Sequence, residues 1–339
     1  MPLDQNGKVQ IEAEYMAGSG KLAVVFGGSG FVGRHTVSAL AKRGFRVRAA
    51  VRRPDLAGFL QPMGVVGQVQ AVQANFRYPD SVARAVAGAD VVIISVGVLA
   101  PSGAQTFEAV HVDGPRAVAK AARAAGVPRL IHISAIGASE KSNSRYAQSK
   151  AAGEKAVLQE FSDAVILRPS IVFGPEDEFF NRFAGLARMS PFLPLIGGGK
   201  TKFQPIFVGD LALAITAVAG GQGKPGRVYE IGGPEVLSFR QLLDKTQTWT
   251  DRSRSYLPLP FWAAKLQAAL TTPLPNALRP ITLDQVRLLQ TDNVVSDAAK
   301  REGRTIADLG VTSPHAVGSI VPGYLERFKP RGQYSHYRG

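Results

Sequence analysis

Three residues of this sequence have types and spacing suited to proton chemistry. Tyr146 and Lys150 lie four apart in Tyr146-Ala147-Gln148-Ser149-Lys150, so on a helix they share one face. An ammonium beside a phenol favours phenolate and lowers the tyrosine pKa. A tyrosine tuned in this way can exchange a proton with a substrate hydroxyl or carbonyl. Ser134 ends an apolar run over 129–134, where an open α/β sheet presents its ligand-binding groups. A Tyr-x-x-x-Lys pair is common by chance, so its weight depends on what accompanies it.

A glycine loop accompanies it. Gly27-Gly28-Ser29-Gly30-Phe31-Val32-Gly33 follows an apolar run and opens a helical pattern. In the spacing Gly27, Gly30, Gly33 the first glycine makes the turn and the second admits a pyrophosphate to the backbone. The third lets helix and strand pack closely, and the helix N-terminus receives the negative charge. Strand, loop and helix stand in the required order, which is the context that makes a glycine motif informative. This predicts a dinucleotide site. The next apolar run ends at Val51-Arg52-Arg53, where an NAD site places an acidic residue. Arginine suits a 2′-phosphate by charge and bidentate geometry, so the expected cofactor is NADP(H) in preference to NAD(H). Arg34, just after the third glycine, can join them or remain solvated.

The elements that must position these residues alternate. Apolar patterns predict strands over 21–26, 46–51, 67–73, 90–96, 129–134 and 164–169, and helices over 31–42, 80–87, 113–125 and 146–160. Such alternation argues an α/β, Rossmann-type, doubly wound parallel sheet. Beyond about residue 174 prolines and glycines rise and regular alternation is lost. The expected division is a lead-in over 1–20 and a nucleotide domain over 21–174, its core continuing into 175–235. A smaller C-terminal α/β lobe over 175–326 and a basic tail over 327–339 complete it.

Composition narrows the function classes. The chain has 339 residues and no cysteine, which excludes disulfides and thiolate chemistry. Its five histidines show no zinc-spaced pair, so no metal site is expected. The net charge of +14 attracts phosphates, anionic lipid or an acidic partner. The basic residues are scattered without interleaved aromatics, unlike a single-strand binder, so nucleic acid is not an expected partner. The longest apolar candidates, 91–100 and 211–220, fall short of a membrane span. The first twenty residues carry Asp4, Glu12 and Glu14 and read as neither a secretory signal nor a transit peptide.

Six segments carry a resemblance: GGSGFVG, DVVIISVG, HVDGPRAVAKAARAAGV, RLIHISAIGAS, SRYAQSKAAGEKAV and VILRPSIVFGPEDEFFNRF. Together they resemble an atypical, extended short-chain dehydrogenase/reductase over about 21–235. More narrowly, the chain is similar to the 39-kDa-type accessory subunit of respiratory complex I, the alpha-subcomplex subunit 9 family, in a bacterial form. SRYAQSKAAGEKAV, RPSIVFGPEDEFFNRFAGLAR and KTKFQPIFVGDLALAI carry this, with LPLPFWAAKLQAAL and ITLDQVRLLQTDNVV less sharply. The resemblance implies a structural NADP(H) on the peripheral arm near the membrane, without established turnover. It maps Gly27, Gly30 and Gly33 to the phosphate loop, and Arg52 with Arg53 to the 2′-phosphate. It maps Ser134, Tyr146 and Lys150 to the superfamily's catalytic positions, which in this family can serve only to hold the nicotinamide ribose. Phe31, Val32, Arg34, Asn75, Val96, Gly97 and Pro169 complete the candidate cofactor contacts. One departure stands out. Extended dehydrogenases carry Asn where this chain has His111, read here as an ordinary helix-entry histidine.

A second surface is expected over 257–275, where Leu259, Phe261, Trp262, Leu266 and Leu270 form an apolar stripe beside Lys265. It suits a membrane interface and, equally, a helix packed on the second lobe or against a partner protein. Three functions remain open: an NADP(H)-carrying accessory or assembly subunit of complex I, a free-standing NADP-dependent oxidoreductase or epimerase/dehydratase acting on a sugar or small carbonyl compound, or a sensor of the NADP(H) ratio. The expected partners are peripheral-arm subunits and an anionic membrane surface, on the cytoplasmic side of the inner membrane.

Overall fold

The computed structural model describes residues 20–271 and 281–330. The lead-in over 1–19, the end of the apolar stretch over 272–280 and the tail over 331–339 lie outside the described residues.

Seven parallel strands form the central sheet. They are β1 (Leu22–Phe26), β2 (Arg46–Val51), β3 (Val69–Gln73), β4 (Val91–Ile94), β5 (Leu130–Ile133), β6 (Val165–Pro169) and β7 (Val228–Ile231), ordered β7-β6-β5-β4-β1-β2-β3. Both faces are covered, which is why the strands read as unbroken apolar runs. Ala23 and Val25 face α1 (Phe31–Lys42) and α6 (Val208–Gly220) through Val37, Leu40, Leu211 and Ile215. Val24 and Phe26 face α2 (Pro79–Val86), α3 (Gly114–Ala124) and α4 (Arg145–Glu160) through Val82, Val118 and Val157. The strand order reverses between β1 and β4, so a crevice opens at their carboxyl ends.

Two predicted boundaries move. β4 stops at Ile94, because Ser95 turns its amide and hydroxyl onto the Phe26 carbonyl, each at 3.0 Å. The helix read from 113 is preceded by a π-helical turn over Glu108–Asp113. The lost alternation beyond 174 is a misreading in part, because α6 and β7 add another α/β unit to the sheet. β7 has only four residues, VYEI, between glycine-rich turns. That run is too short for a period to declare itself.

The second lobe packs around Phe173, Phe180, Phe203, Phe239, Leu243 and Val321. It contains α5 (Phe180–Met189), α7 (Phe239–Trp249), α8 (Phe261–Leu270), α9 (Leu283–Leu288), α10 (Asp297–Arg301) and α11 (Val317–Leu325). No described helix is long and apolar enough to cross a membrane. The expected stripe on α8 divides. Ala264 and Ala268 pack on Val286 of α9, with Leu259 and Phe261 against the same cluster. Trp262, Leu266 and Leu270, at helical spacing, are 70%, 55% and 72% exposed. Phe261 therefore belongs to the inner face. The start of the expected tail is also packed: Arg252 Nε donates to the Phe328 carbonyl at 3.0 Å.

Candidate functional site: a nucleotide cleft

The glycine loop has the geometry its sequence predicts. Gly27 has φ +80°, and its amide meets the Ala50 carbonyl at 3.1 Å while its own carbonyl accepts from Gly30 at 2.9 Å. A Cβ on Gly33 would overlap that same carbonyl, so α1 can only pack on the loop without one. Gly30 is the N-cap, with no side-chain cap and no acid in the first turn of α1. The first-turn amides and the positive helix end are left for an anion. Gly28, which the sequence reading passes over, is equally constrained. A Cβ there would lie 2.9 Å from that of Ala49; the doubled glycine was the available signal. Phe31 packs edge-on to His35 and beside Gly174 in the loop after β6. Val32 is half-buried against the core.

At the end of β2 the two arginines differ. Arg53 forms a bidentate pair with Asp55, Nε–Oδ1 3.0 Å and Nη2–Oδ2 2.7 Å, which raises the arginine pKa and lowers that of the carboxyl. Arg52 is exposed. Arg34 lies back across the glycine loop. Its Nη2 donates to the Ser29 carbonyl at 3.0 Å, its guanidinium covers the Phe59 ring at 4.9 Å, and Glu176 stands 3.5 Å away. Asn75, just past β3, folds its side chain back to accept from the Arg77 amide at 3.1 Å. Val96 touches Gly27, and Gly97 faces His111. Pro169 is buried at the end of β6.

Across the crevice, Ser134 is 4% exposed and its hydroxyl has no hydrogen-bond partner. A buried unpaired hydroxyl at a strand end is costly unless a ligand engages it. With the glycine cradle, it fits a nicotinamide nucleotide. Lys150 is 4% exposed and donates from Nζ to the Ile133 carbonyl at 2.7 Å. Burial lowers its pKa to about 8, against a raising contribution from Glu154. The expected effect on Tyr146 is not found. Burial pushes its phenol up to about 12, and the lysine is committed to a backbone carbonyl. The resting tyrosine is therefore a neutral phenol.

His111 stands at the entry to α3, where the sequence reading put it, and adds contacts that reading did not supply. It is 1% exposed and stands in the π-helical turn, a feature frequent at functional sites. Nε2 accepts from the Val98 amide at 3.1 Å, so Nδ1 carries the proton toward Ser149 Oγ at 2.8 Å. Ser149 in turn donates to the Tyr146 carbonyl at 2.8 Å. Burial, then the charge of Lys150, pushes the His111 pKa down to about 3, which keeps the ring neutral, and the Val98 amide selects the tautomer. Its ring lies edge-on to Tyr146, with centroids 5.4 Å apart. A Cβ on Gly153 would overlap the His111 carbonyl. That glycine is what lets α4 seat against the turn.

Two residues of the second lobe reach this site, and the sequence reading found neither. Asp284 Oδ1 accepts from the Arg145 amide at 2.7 Å, and Oδ2 accepts from Ser144 Oγ at 2.7 Å and the Tyr146 amide at 3.0 Å. Asn293 Oδ1 accepts from Ser170 Oγ at 2.7 Å, and its Nδ2 donates to the Ile136 carbonyl at 3.2 Å. The signal available was Thr282-Leu283-Asp284-Gln285, a capping box that marks a helix start.

A family model described as NAD(P)H-binding matches residues 27–178. NADH dehydrogenase [ubiquinone] 1 alpha subcomplex subunit 9, mitochondrial, of Arabidopsis thaliana is 36% identical over 325 residues, 93% of this chain and 79% of that protein. Ceramide reductase of Caulobacter vibrioides is 37% identical over 233 residues, 69% of this chain and 68% of that protein. Among solved structures, an NADPH-dependent quinone oxidoreductase of Escherichia coli complexed with NADPH superposes with a TM-score of 0.71. It is 20% identical, with coverage of 89% of this chain and 99% of that one. At that identity the likeness speaks for the fold alone.

Proposed function

The chain belongs to the NADH dehydrogenase [ubiquinone] 1 alpha subcomplex subunit 9 family, and from that premise we propose that it is an NADP(H)-holding accessory or assembly subunit of a bacterial respiratory complex I. The observation that carries the cofactor half of this reading is the exposed guanidinium of Arg52 at the end of β2, where an NAD site needs a carboxylate. Gly27, Gly30, Phe31, Val32 and Gly33 hold the pyrophosphate. Arg52 takes the 2′-phosphate, with Arg34 beside the loop and Arg53 held back by Asp55. Asn75 borders the adenosine half; Val96, Gly97 and Pro169 border the rest of the cleft.

The nicotinamide supplies hydride chemistry when an enzyme of this superfamily turns over. Here Ser134, Tyr146 and Lys150 hold and orient its ribose. A tyrosine pushed up to about 12 favours holding over proton transfer. The nucleotide domain is read as 21–174 with its core running into 175–235, and 175–326 as the lobe that closes the cleft. The chain attaches peripherally to the cytoplasmic side of the inner membrane among the peripheral-arm subunits. The +14 charge favours an anionic surface.

The second reading is a free-standing NADP-dependent reductase. Retention of Ser134, Tyr146 and Lys150 supports it, as does the likeness to ceramide reductase. Mild-detergent extraction separates the two. The first reading expects the chain to co-purify with complex I and to release NADP(H) on denaturation. A chain found only apart from the complex, turning over a carbonyl substrate with loss in Tyr146→Phe, would establish the second.

A further inference from the structure

Asp284 sits in the second lobe, 138 residues beyond Tyr146. Its own helix does not depend on it for a cap. Thr282 and Gln285 close the N-terminus of α9 as a reciprocal capping box. Both carboxylate oxygens instead cover the start of α4. They take the Arg145 and Tyr146 amides, and they take the hydroxyl of Ser144. Ser144 then accepts from the Ala147 amide at 3.2 Å. Three consecutive first-turn amides of α4 are thus satisfied, two by Asp284 and one by a serine that Asp284 holds.

Tyr146 belongs to that turn, and Lys150 lies one turn on. Asp284 is itself fixed. Val286 of the same helix packs on Ala264 and Ala268, and Asn293 ties the following segment to the ends of β5 and β6 through Ile136 and Ser170.

We infer that Asp284 is a positioning residue: it sets the first turn of α4 from the second lobe, and with it the grip of Tyr146 and Lys150 on the nicotinamide half of NADP(H). The inference rests on the nucleotide reading above. A contact that merely glued the lobes together would weaken every part of the nucleotide site alike. A positioning residue weakens one half.

The test compares two probes on the full chain carrying Asp284→Ala or Asp284→Asn. NADPH spans both halves of the site. Adenosine 2′,5′-bisphosphate has the adenine half and the 2′-phosphate but no nicotinamide. In Asp284→Ala the NADPH affinity should fall about tenfold, the scale of a lost helix cap, while the bisphosphate affinity stays unchanged. Asp284→Asn keeps one acceptor oxygen and should restore part of the loss. In nucleotide-free protein, hydrogen exchange at the 145–147 amides should quicken. If Asp284→Ala does not fold, Asp284→Asn and Ser144→Ala carry the same comparison.

Equal losses for both probes would overturn the inference. Unchanged exchange at 145–147 would overturn the cap and leave the nucleotide reading standing. Faster exchange with unchanged NADPH affinity would overturn it too, by placing the fault in the assignment of Tyr146 and Lys150 to the nicotinamide half.

Discussion

Which arginine reads the cofactor is decided at the level of single side chains. Arg52 and Arg53 are neighbours of one type, but Asp55 occupies only Arg53. Losing a charged hydrogen bond costs about 1.5–3 kcal/mol, so Arg52→Ala should weaken NADPH by that amount and leave NADH nearly untouched. Arg53→Ala should change either much less. Calorimetric titration with both cofactors measures this, and equal wild-type affinities would sink the NADP preference. His111 gives a pH signature. Its pKa falls from 6.5 to about 3 in the folded chain, so below pH 6.5 the unfolded chain binds the extra proton. Stability from this group is complete above pH 6.5 and is lost as pH falls toward 3. Well below pH 6.5 wild type should lose stability at a slope approaching about 1.4 kcal/mol per pH unit more than His111→Asn, read from denaturant midpoints at pH 5.5 and 4.5. The residue types were legible in the sequence: Gly27, Gly30 and Gly33 form the turn between β1 and α1, and Tyr146 and Lys150 lie on α4, with Lys150 reaching the end of β5 just before Ser134. Their states were not. The carboxylate on Arg53, the carbonyl under Lys150 and the amide on His111 come from backbone placement that no spacing reveals.

Among the elements, α4 carries the tightest constraint. Gly153→Ala should cost about 1–3 kcal/mol, the range for overpacking, because the new methyl meets the His111 carbonyl rather than a side chain that can swing away. It should also weaken NADPH, since α4 bears Tyr146. Gly185, in α5, is the control. A Cβ there meets nothing nearer than Phe328 at 3.8 Å, so Gly185→Ala should be neutral or gain up to about 1 kcal/mol from helix propensity. Chemical denaturation of both variants makes the comparison, and equal costs would refute the packing argument. Six of the seven strands and four helices could be read from period alone, to within a few residues at their ends. β7 could not, since four residues give no period. Nor could the burial of Phe261. A stripe of apolar residues shows that a helix is amphipathic, but its neighbours decide which edge of the stripe turns inward.

At the scale of the whole molecule, the proposed attachment gives the exposed row Trp262, Leu266 and Leu270 and the +14 charge separable parts. Charge-driven binding should fade at high salt, where screening shortens to a few ångströms. The apolar row should leave a salt-resistant remainder. Trp262→Glu with Leu266→Glu should abolish that remainder at an unchanged melting temperature, whereas Phe261→Glu should lower the melting temperature by opening the cluster beneath α8. Membrane fractionation and thermal scans distinguish these, and persistent salt-resistant binding in the double variant would exonerate the row. The Asp284 contact also orders events in time. The ribosome makes about 5–20 residues per second, so the 138 residues between Tyr146 and its cap take on the order of ten seconds to appear. During that interval the glycine loop and the first five strands already exist, while the start of α4 lacks its partner. A nascent chain can therefore gather its first strands and glycine loop early, but the start of α4 is capped only once Asp284 has been made.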